Sequence, residues 1–312
     1  MKKYHYGNKN TFIYSSGNRI YIENDQSIIQ LVLKTVLPDS LALIKRIIRS
    51  DIFNAIMCGD ILIVVLKGKL LFFRFGELIE EVPIDRGKRP LRDGIVCLKN
   101  QFYYGDYWIN PDRIETNIYK IDLLTFKKEI YFSFNHIQHI HFIQKDNFIN
   151  DSLLIGTGDS DNESGIYQFN TKSKKIKTIL EGSQKYRVVS VIQFEEYIIW
   201  GTDAPNDDNH IYRFHRKDKE LECLRKIDGP AYYSTVTKKG YMYIATTVED
   251  RKRHQAIIYE SKDNGFTWTV YKKFKKDIWH CRYFGYGTIE FIAGQKYFNE
   301  LLFNEIGLKE SK

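Results

Sequence analysis

Ile20-Tyr21, Leu71-Phe72, Ile118-Tyr119, Ile166-Tyr167, Ile211-Tyr212, Ile258-Tyr259 and Leu302-Phe303 form a series of apolar pairs that recurs every 44 to 51 residues along the chain. A unit of that length accommodates a small antiparallel sheet of about four short strands, and radial repetition of such sheets makes a β-propeller. The residues around each pair carry the same message. In the third unit Ile95 to Leu98, Phe102 to Tyr104, Ile118 to Ile121 and Glu129 to Phe132 read as four strands. The fourth unit repeats them as Ile137 to Ile143, Leu153 to Gly156, Ile166 to Phe169 and Lys175 to Leu180. The fifth does so as Val188 to Gln193, Tyr197 to Trp200, Ile211 to Phe214 and Glu220 to Lys226. Long helical patterns are absent, and Leu41 to Ile48 has only enough 3.6-residue character for a single turn or a strand.

The expectation is an all-β, seven-bladed β-propeller with four-stranded antiparallel blades, spanning residues 1–312 as a single domain. A six-bladed ring is the alternative, if the terminal segments share one sheet. Lys3 to Tyr6 is expected to close the ring against the C-terminal unit, whose fourth strand reads as truncated.

Composition narrows the partners. A net charge of +8 favours anions, which leaves an acidic oligo- or polysaccharide, nucleic acid or nothing specific, and much of the charge is plain solvation. Lys172 to Lys177 and Tyr271 to Lys276 fall in predicted outer-strand turns as solvated faces, so no nucleic-acid partner is expected. Met1 to Tyr6 is charged and polar, and no run approaches a membrane span, which reads as a soluble, cytoplasmic chain. Cys58, Cys97, Cys223 and Cys281 lack Cys-x-x-Cys spacing and read as reduced, buried thiols. Nothing in the sequence sets an oligomeric state.

In an antiparallel four-stranded blade, the start of the first strand and the end of the second lie at one end of the propeller. Strand-one starts carry Arg92, His139 with His141, Arg187, Tyr233 and Arg282, and strand-two ends carry Asp106, Asp159, Asp203 and Glu249. All are expected at a central mouth. Tight hairpins close the first two units at Ser16-Gly17-Asn18 and Lys67-Gly68-Lys69. Units three to six instead carry Gly105 to Asn117, Gly156 to Gly165, Gly201 to His210 and Thr246 to Gln255, longer polar loops that a structural hairpin does not need.

Ser261-Lys262-Asp263-Asn264-Gly265-Phe266-Thr267-Trp268 fits Ser-x-Asp-x-Gly-x-Thr-Trp at every defining position. This resembles the Asp-box of sialidase-type BNR repeats. In that superfamily the box is a structural turn between strands three and four, opposite the active site, so the resemblance implies fold rather than chemistry. Residues 85 to 290 are further similar to uncharacterised bacterial, glycosyl-hydrolase-like BNR-repeat proteins. That likeness is carried by Arg89-Pro90-Leu91, Gly105-Asp106-Tyr107 with Asn110 and Arg113, His139-Ile140-His141, Thr157-Gly158-Asp159 with Glu163-Ser164, Gly182-Ser183-Gln184 with Arg187, and Trp200-Gly201-Thr202-Asp203. It implies a propeller with a carbohydrate role. True sialidases would imply three arginines around a carboxylate, a Tyr nucleophile with a Glu partner, an Asp acid/base and an Arg-Ile-Pro motif. Here Arg19-Ile20-Tyr21 lacks the Pro. By position in the repeat, Arg92, Arg187 and Arg282 stand as the arginine cluster, and Tyr233 with Glu249 as the nucleophile pair.

Candidate chemistry follows from residue types. Arginine's planar fork binds carboxylates through two parallel hydrogen bonds, so Arg92, Arg113 and Arg187 suit an acidic sugar, or else salt bridges to Asp106, Asp159 and Asp203. Glycoside hydrolysis needs two carboxyl groups of divergent pKa, for which those three aspartates are the candidates. His139 and His141, two apart on one strand, point to the same side as acid/base groups. Trp108, Tyr107 and Tyr233 offer flat faces for stacking, and Gln184 stands beside them as a polar contact. The preferred reading is a glycosidase without a cofactor. The alternatives are a non-catalytic glycan- or protein-binding propeller, and a metal-assisted polysaccharide lyase in which the two histidines with Asp159 or Gln184 surround a divalent ion.

Overall fold

The computed structural model describes residues 3–7, 11–24, 26–33, 41, 52–236, 240–247 and 255–275. Among them, six four-stranded antiparallel sheets follow one another along the chain, each with its strands hydrogen-bonded in sequence order. The sheets occupy residues 3–32, 54–83, 95–134, 139–181, 192–227 and 231–275. Six is the alternative blade count; Leu302-Phe303, on which a seventh rested, lies outside the described residues, as do Glu249, Cys281, Arg282 and Leu41 to Ile48 apart from Leu41.

Lys3–Gly7 pairs with Thr11–Ser16 as the first strand of its own sheet, across a three-residue connection that costs little loop entropy. The C-terminal unit against which Lys3 to Tyr6 is expected to close the ring lies outside the described residues.

The apolar pairs mark a recurring irregularity. In sheets three to six the register between third and fourth strands shifts between the two residues of each pair, at Ile118/Tyr119, Ile166/Tyr167, Ile211/Tyr212 and Ile258/Tyr259. Sheet two shifts one residue later, at Phe72/Phe73. Each shift is a β-bulge that gives the outermost strand an extra residue and adds twist. The isoleucine of each pair is buried in the core.

Core side chains pack between neighbouring sheets. Phe142, Leu154 and Ile166 of sheet four meet Ile198, Trp200, Tyr212 and Phe214 of sheet five in one cluster. Each such side chain contributes about 1.5–3 kcal/mol by leaving water. Gly156 permits the contact, since a Cβ there would lie 2.1 Å from the Phe142 ring. First strands of sheets three to six line a cavity of about 360 Å³ through Ile95, Ile143, Ile192 and Thr235, so consecutive sheets face a common space.

Two expectations about cysteine are corrected. Cys58 and Cys97 form a disulfide between the first strands of sheets two and three, with Cα atoms 5.7 Å apart, and Cys223 is exposed. The pairing was invisible in the spacing because the partners belong to different repeats. Closing their 39-residue separation stabilises the fold by about 4 kcal/mol on the chain-entropy account.

The Ser261 to Trp268 turn joins the third and fourth strands of sheet six, at the end away from the mouth. Ser261 Oγ accepts from the Gly265 N–H, Asp263 accepts from the Thr267 N–H, and the Trp268 indole donates to the Gly265 carbonyl. Every defining residue of the motif is thus used by the turn itself. No helix among the described residues is long and apolar enough to cross a membrane.

Candidate functional site

The first strand of sheet four, His139–Lys145, pairs with Ser152–Gly158, and its register sets the site. His139 faces Gly158 and Ile140 faces Thr157, but Phe142 faces Gly156, which leaves His141 as the extra residue of a bulge. Bulges re-aim side chains. Here Ile140 stays in the core while both imidazoles turn towards the strand end that carries Asp159. Gly158 leaves room for them, since a Cβ there would come within 2.9 Å of His141 Cε1 and 3.3 Å of Arg187 Cγ.

Four side chains converge. The two Nε2 atoms are 3.0 Å apart, and Asp159 Oδ1 lies 3.3 Å from that of His139 and 3.4 Å from that of His141. Arg187 Nη2 reaches the same oxygen at 2.9 Å, and its Nε lies 3.4 Å from Asp203 Oδ2. Asp159 is also held through its backbone carbonyl, which accepts from Gln184 Nε2 at 2.9 Å and Arg187 Nη1 at 3.0 Å. Both donors stand on or beside the single turn Gln184–Tyr186. The side chain of Asp159 is 33% exposed, against 9% for His139 and 2% for His141, so the carboxylate is the open edge of a buried cluster. The Tyr107 ring lies 4.3 Å from that of His139, whose Nδ1 is 3.3 Å from the Trp108 carbonyl.

Electrostatics separate the members. Burial would raise the Asp159 carboxyl, but hydrogen bonds from His139 and His141 outweigh it and hold the group far below the usual carboxylate range. Burial pushes His141 down to about 4, against the pull of Asp159, so it is neutral at pH 7.

The other predicted residues divide. Asp106 is 1% exposed and lies at the junction of sheets three and four, where its carbonyl accepts from Ile140 N–H and its carboxylate from Asn117 N–H. Burial pushes it up to about 6, opposed by the Asn117 N–H and by Arg86, 3.7 Å away. Asp203 is likewise buried. Arg113 Nε pairs with Glu163 at 2.7 Å, and Glu163 also accepts from the Gln138 N–H at 2.8 Å, which clasps the loops of sheets three and four together. Glu163 was not among the expected site residues, although Glu163-Ser164 belongs to the stretch that carries the resemblance to BNR-repeat proteins. Arg92 lies 4.8 Å over the Tyr233 ring, and its Nη1 is buried without a hydrogen-bond partner. Burial drives the Tyr233 phenol upward, with Arg92 opposing, which is contrary to what a nucleophile needs. Trp108 is half-buried with Arg86 5.8 Å from its ring.

Asp106 makes a pH prediction. Its folded pKa of about 6 exceeds the unfolded value of 3.8, so its contribution favours the fold in acid and is lost as pH rises through about 6. Asp106→Asn removes this penalty. Relative to wild type, the variant is expected to gain about 1–3 kcal/mol between pH 4 and pH 7 in urea unfolding. A pH-independent difference would refute the shift.

No family model matches the chain, and no curated protein sequence matches it. Among solved structures it is similar to the hydrazine synthase of Kuenenia stuttgartiensis, with a TM-score of 0.54 and 15% identity over 80% of this chain and 73% of that one. It is also similar to an oligogalacturonate lyase in complex with manganese, with a TM-score of 0.55 and 10% identity over 84% and 73%. The third is the GH74 xyloglucanase from Xanthomonas campestris, with a TM-score of 0.58 and 10% identity over 86% of this chain and 44% of that one. The chain therefore spans less than half of the xyloglucanase. At such identities these likenesses show the propeller fold.

Proposed function

We propose that the protein is a carbohydrate-active enzyme that binds an anionic glycan across the mouth of sheets three to six and cleaves it at the Asp159 cluster. One observation carries the reading: an ionised carboxylate is partly open to solvent while the imidazoles that grip it are buried and the guanidinium that grips it is half-buried. Such a concentration of restrained, titratable side chains is unnecessary for holding a blade edge and is characteristic of reacting centres. Arg92 supports an anionic substrate, because among the described residues it makes no ion pair within 4.0 Å and faces only the buried Asp93 and Tyr233 electrostatically, whereas Arg113 and Arg187 are in direct contact with Glu163, Asp159 and Asp203. Tyr107 and Trp108 supply ring faces beside His139. The names of two fold neighbours, a xyloglucanase and an oligogalacturonate lyase, agree with a saccharide substrate.

Hydrolysis would pair Asp159, held low, with Asp106, held high, the opposed shifts that two-carboxylate glycosidases use. The enclosure of Asp106 favours a second reading. β-Elimination from a uronate needs one base and a cation facing the sugar carboxylate, and no second open carboxylate. An assay with uronate-containing and neutral oligosaccharides separates these cases. New reducing ends are expected with the anionic set. A product with ultraviolet absorbance from a new double bond marks elimination, and its absence marks hydrolysis. Arg92→Ala is expected to raise KM for the anionic substrate with kcat little changed. Lack of cleavage across the acidic panel would overturn the proposal.

A further inference from the structure

We propose that His139, His141 and Asp159 hold a divalent first-row transition-metal ion. The three inward atoms form a triangle with edges of 3.0, 3.3 and 3.4 Å. An ion about 2.1 Å from each donor gives edges of about 3.0–3.4 Å when the angles at the metal are about 90–110°. Two imidazole nitrogens and one carboxylate oxygen are also the donor types that such ions prefer over the all-oxygen shells of calcium and magnesium.

Hydrogen-bond accounting supports the same centre. The Trp108 carbonyl, 3.3 Å from His139 Nδ1, can only accept, so when His139 is neutral, as a metal ligand must be, that nitrogen carries the hydrogen and Nε2 presents a lone pair. Asp159 Oδ1 brings lone pairs alone. At most one hydrogen, on His141 Nε2, is then available for three edges, and two edges set lone pair against lone pair. A cation between the three atoms satisfies all of them.

The surroundings are those of a ligand set. The bulge that makes His141 the extra residue brings its Nε2 beside that of His139 instead of leaving an even alternation. Arg187 Nη2 holds the Asp159 carboxylate at Oδ1 and Gln184 holds the Asp159 backbone carbonyl, as outer partners of metal ligands do. The exposed side of Asp159 leaves coordination positions for water or a ligand. What the ion does rests on the glycan reading: it would reverse the local negative charge that Asp159 otherwise turns towards an acidic sugar, and polarise a sugar oxygen.

The binding itself is tested without any saccharide. The full chain, stripped with a chelator, is titrated calorimetrically with Zn²⁺ and separately with Mn²⁺. One ion per chain is expected. Asp159→Asn and His141→Ala are expected to weaken it by about 100-fold or more, since even outer-partner changes cost about 10–100-fold. His215→Ala, whose ring pairs with Glu222 at 2.9 Å, should leave it unchanged. Because a ligand variant can fail to fold, Co²⁺ added to the wild type gives an independent reading, with nitrogen and oxygen ligation expected in its visible spectrum. Absence of stoichiometric binding, or binding indifferent to both ligand variants, would overturn the proposal and leave a hydrogen-bonded pair of histidines on Asp159. Cleavage that survives metal removal would sink only the ion's part in cleavage; bound metal without cleavage of any acidic glycan would sink the enzymatic reading alone.

Discussion

Asp159→Asn is expected to lower kcat for an anionic oligosaccharide by about 10²–10⁴-fold, the range lost when a positioned acid/base or charge-stabilising group is removed. That corresponds to about 3–5 kcal/mol of the barrier. Asn keeps the shape but replaces one carboxylate oxygen by an NH₂ group. Whichever way the amide turns, residue 159 loses its negative charge, while Arg187 keeps its contacts with Asp203, 3.4 Å away, and with the residue-159 carbonyl. KM should change little, because the substrate's charge is met by Arg92, and this split from the Arg92→Ala phenotype is the diagnostic. Stability should respond in a defined direction as well. The Asp159 carboxyl is held low in the fold, so its contribution is present above the unfolded value of 3.8 and is lost as pH falls through the folded one. The variant should therefore lose stability at pH 7 and converge with wild type in strong acid. Steady-state kinetics and urea unfolding check both halves, and wild-type turnover in a folded Asp159→Asn protein would remove Asp159 from the chemistry.

The parts of this site that were legible in the sequence depend on topology alone. Strand-one starts and strand-two ends share one end of a blade whatever the side chains do, which is why His139, His141, Arg187 and Asp159 could be brought together from numbering and strand pattern. Depth was not legible. Asp106 and Asp203 also follow second strands, yet both are buried, Asp106 against the Asn117 N–H and Arg86 and Asp203 against Arg187, contacts that no local pattern announces. The bulge at His141 was hidden for a related reason: alternation assigns the two imidazoles to one side without showing that one residue is extra. The Ile-Tyr pairs revealed the repeat length, but only the strand registers show what they are for. Cys58 and Cys97 meet across sheets, so a reading confined to single repeats missed them.

Trp200 links that hidden packing to the site, and its variants carry the second large effect. Its indole is fully buried among Phe142, Leu154 and Ile166 of the neighbouring sheet. Its Nε1–H donates to the Lys185 carbonyl at 2.8 Å, inside the turn that presents Gln184 and Arg187 to Asp159. Trp200→Ala is expected to cost about 3–5 kcal/mol, a large share of the about 5–15 kcal/mol that holds a typical domain together. Trp200→Phe fills most of the space and forfeits the hydrogen bond, for about 1 kcal/mol plus the smaller ring's lost contacts. That modest loss should nevertheless reduce kcat by about 10–100-fold, because the freed turn lets the Arg187 guanidinium drift from the carboxylate it orients. Stability by urea unfolding and kcat thus dissociate in Trp200→Phe and fall together in Trp200→Ala. If Trp200→Phe kept full turnover, the turn would hold its geometry without the indole, and the path from the packed interface between sheets four and five to the open carboxylate would not exist.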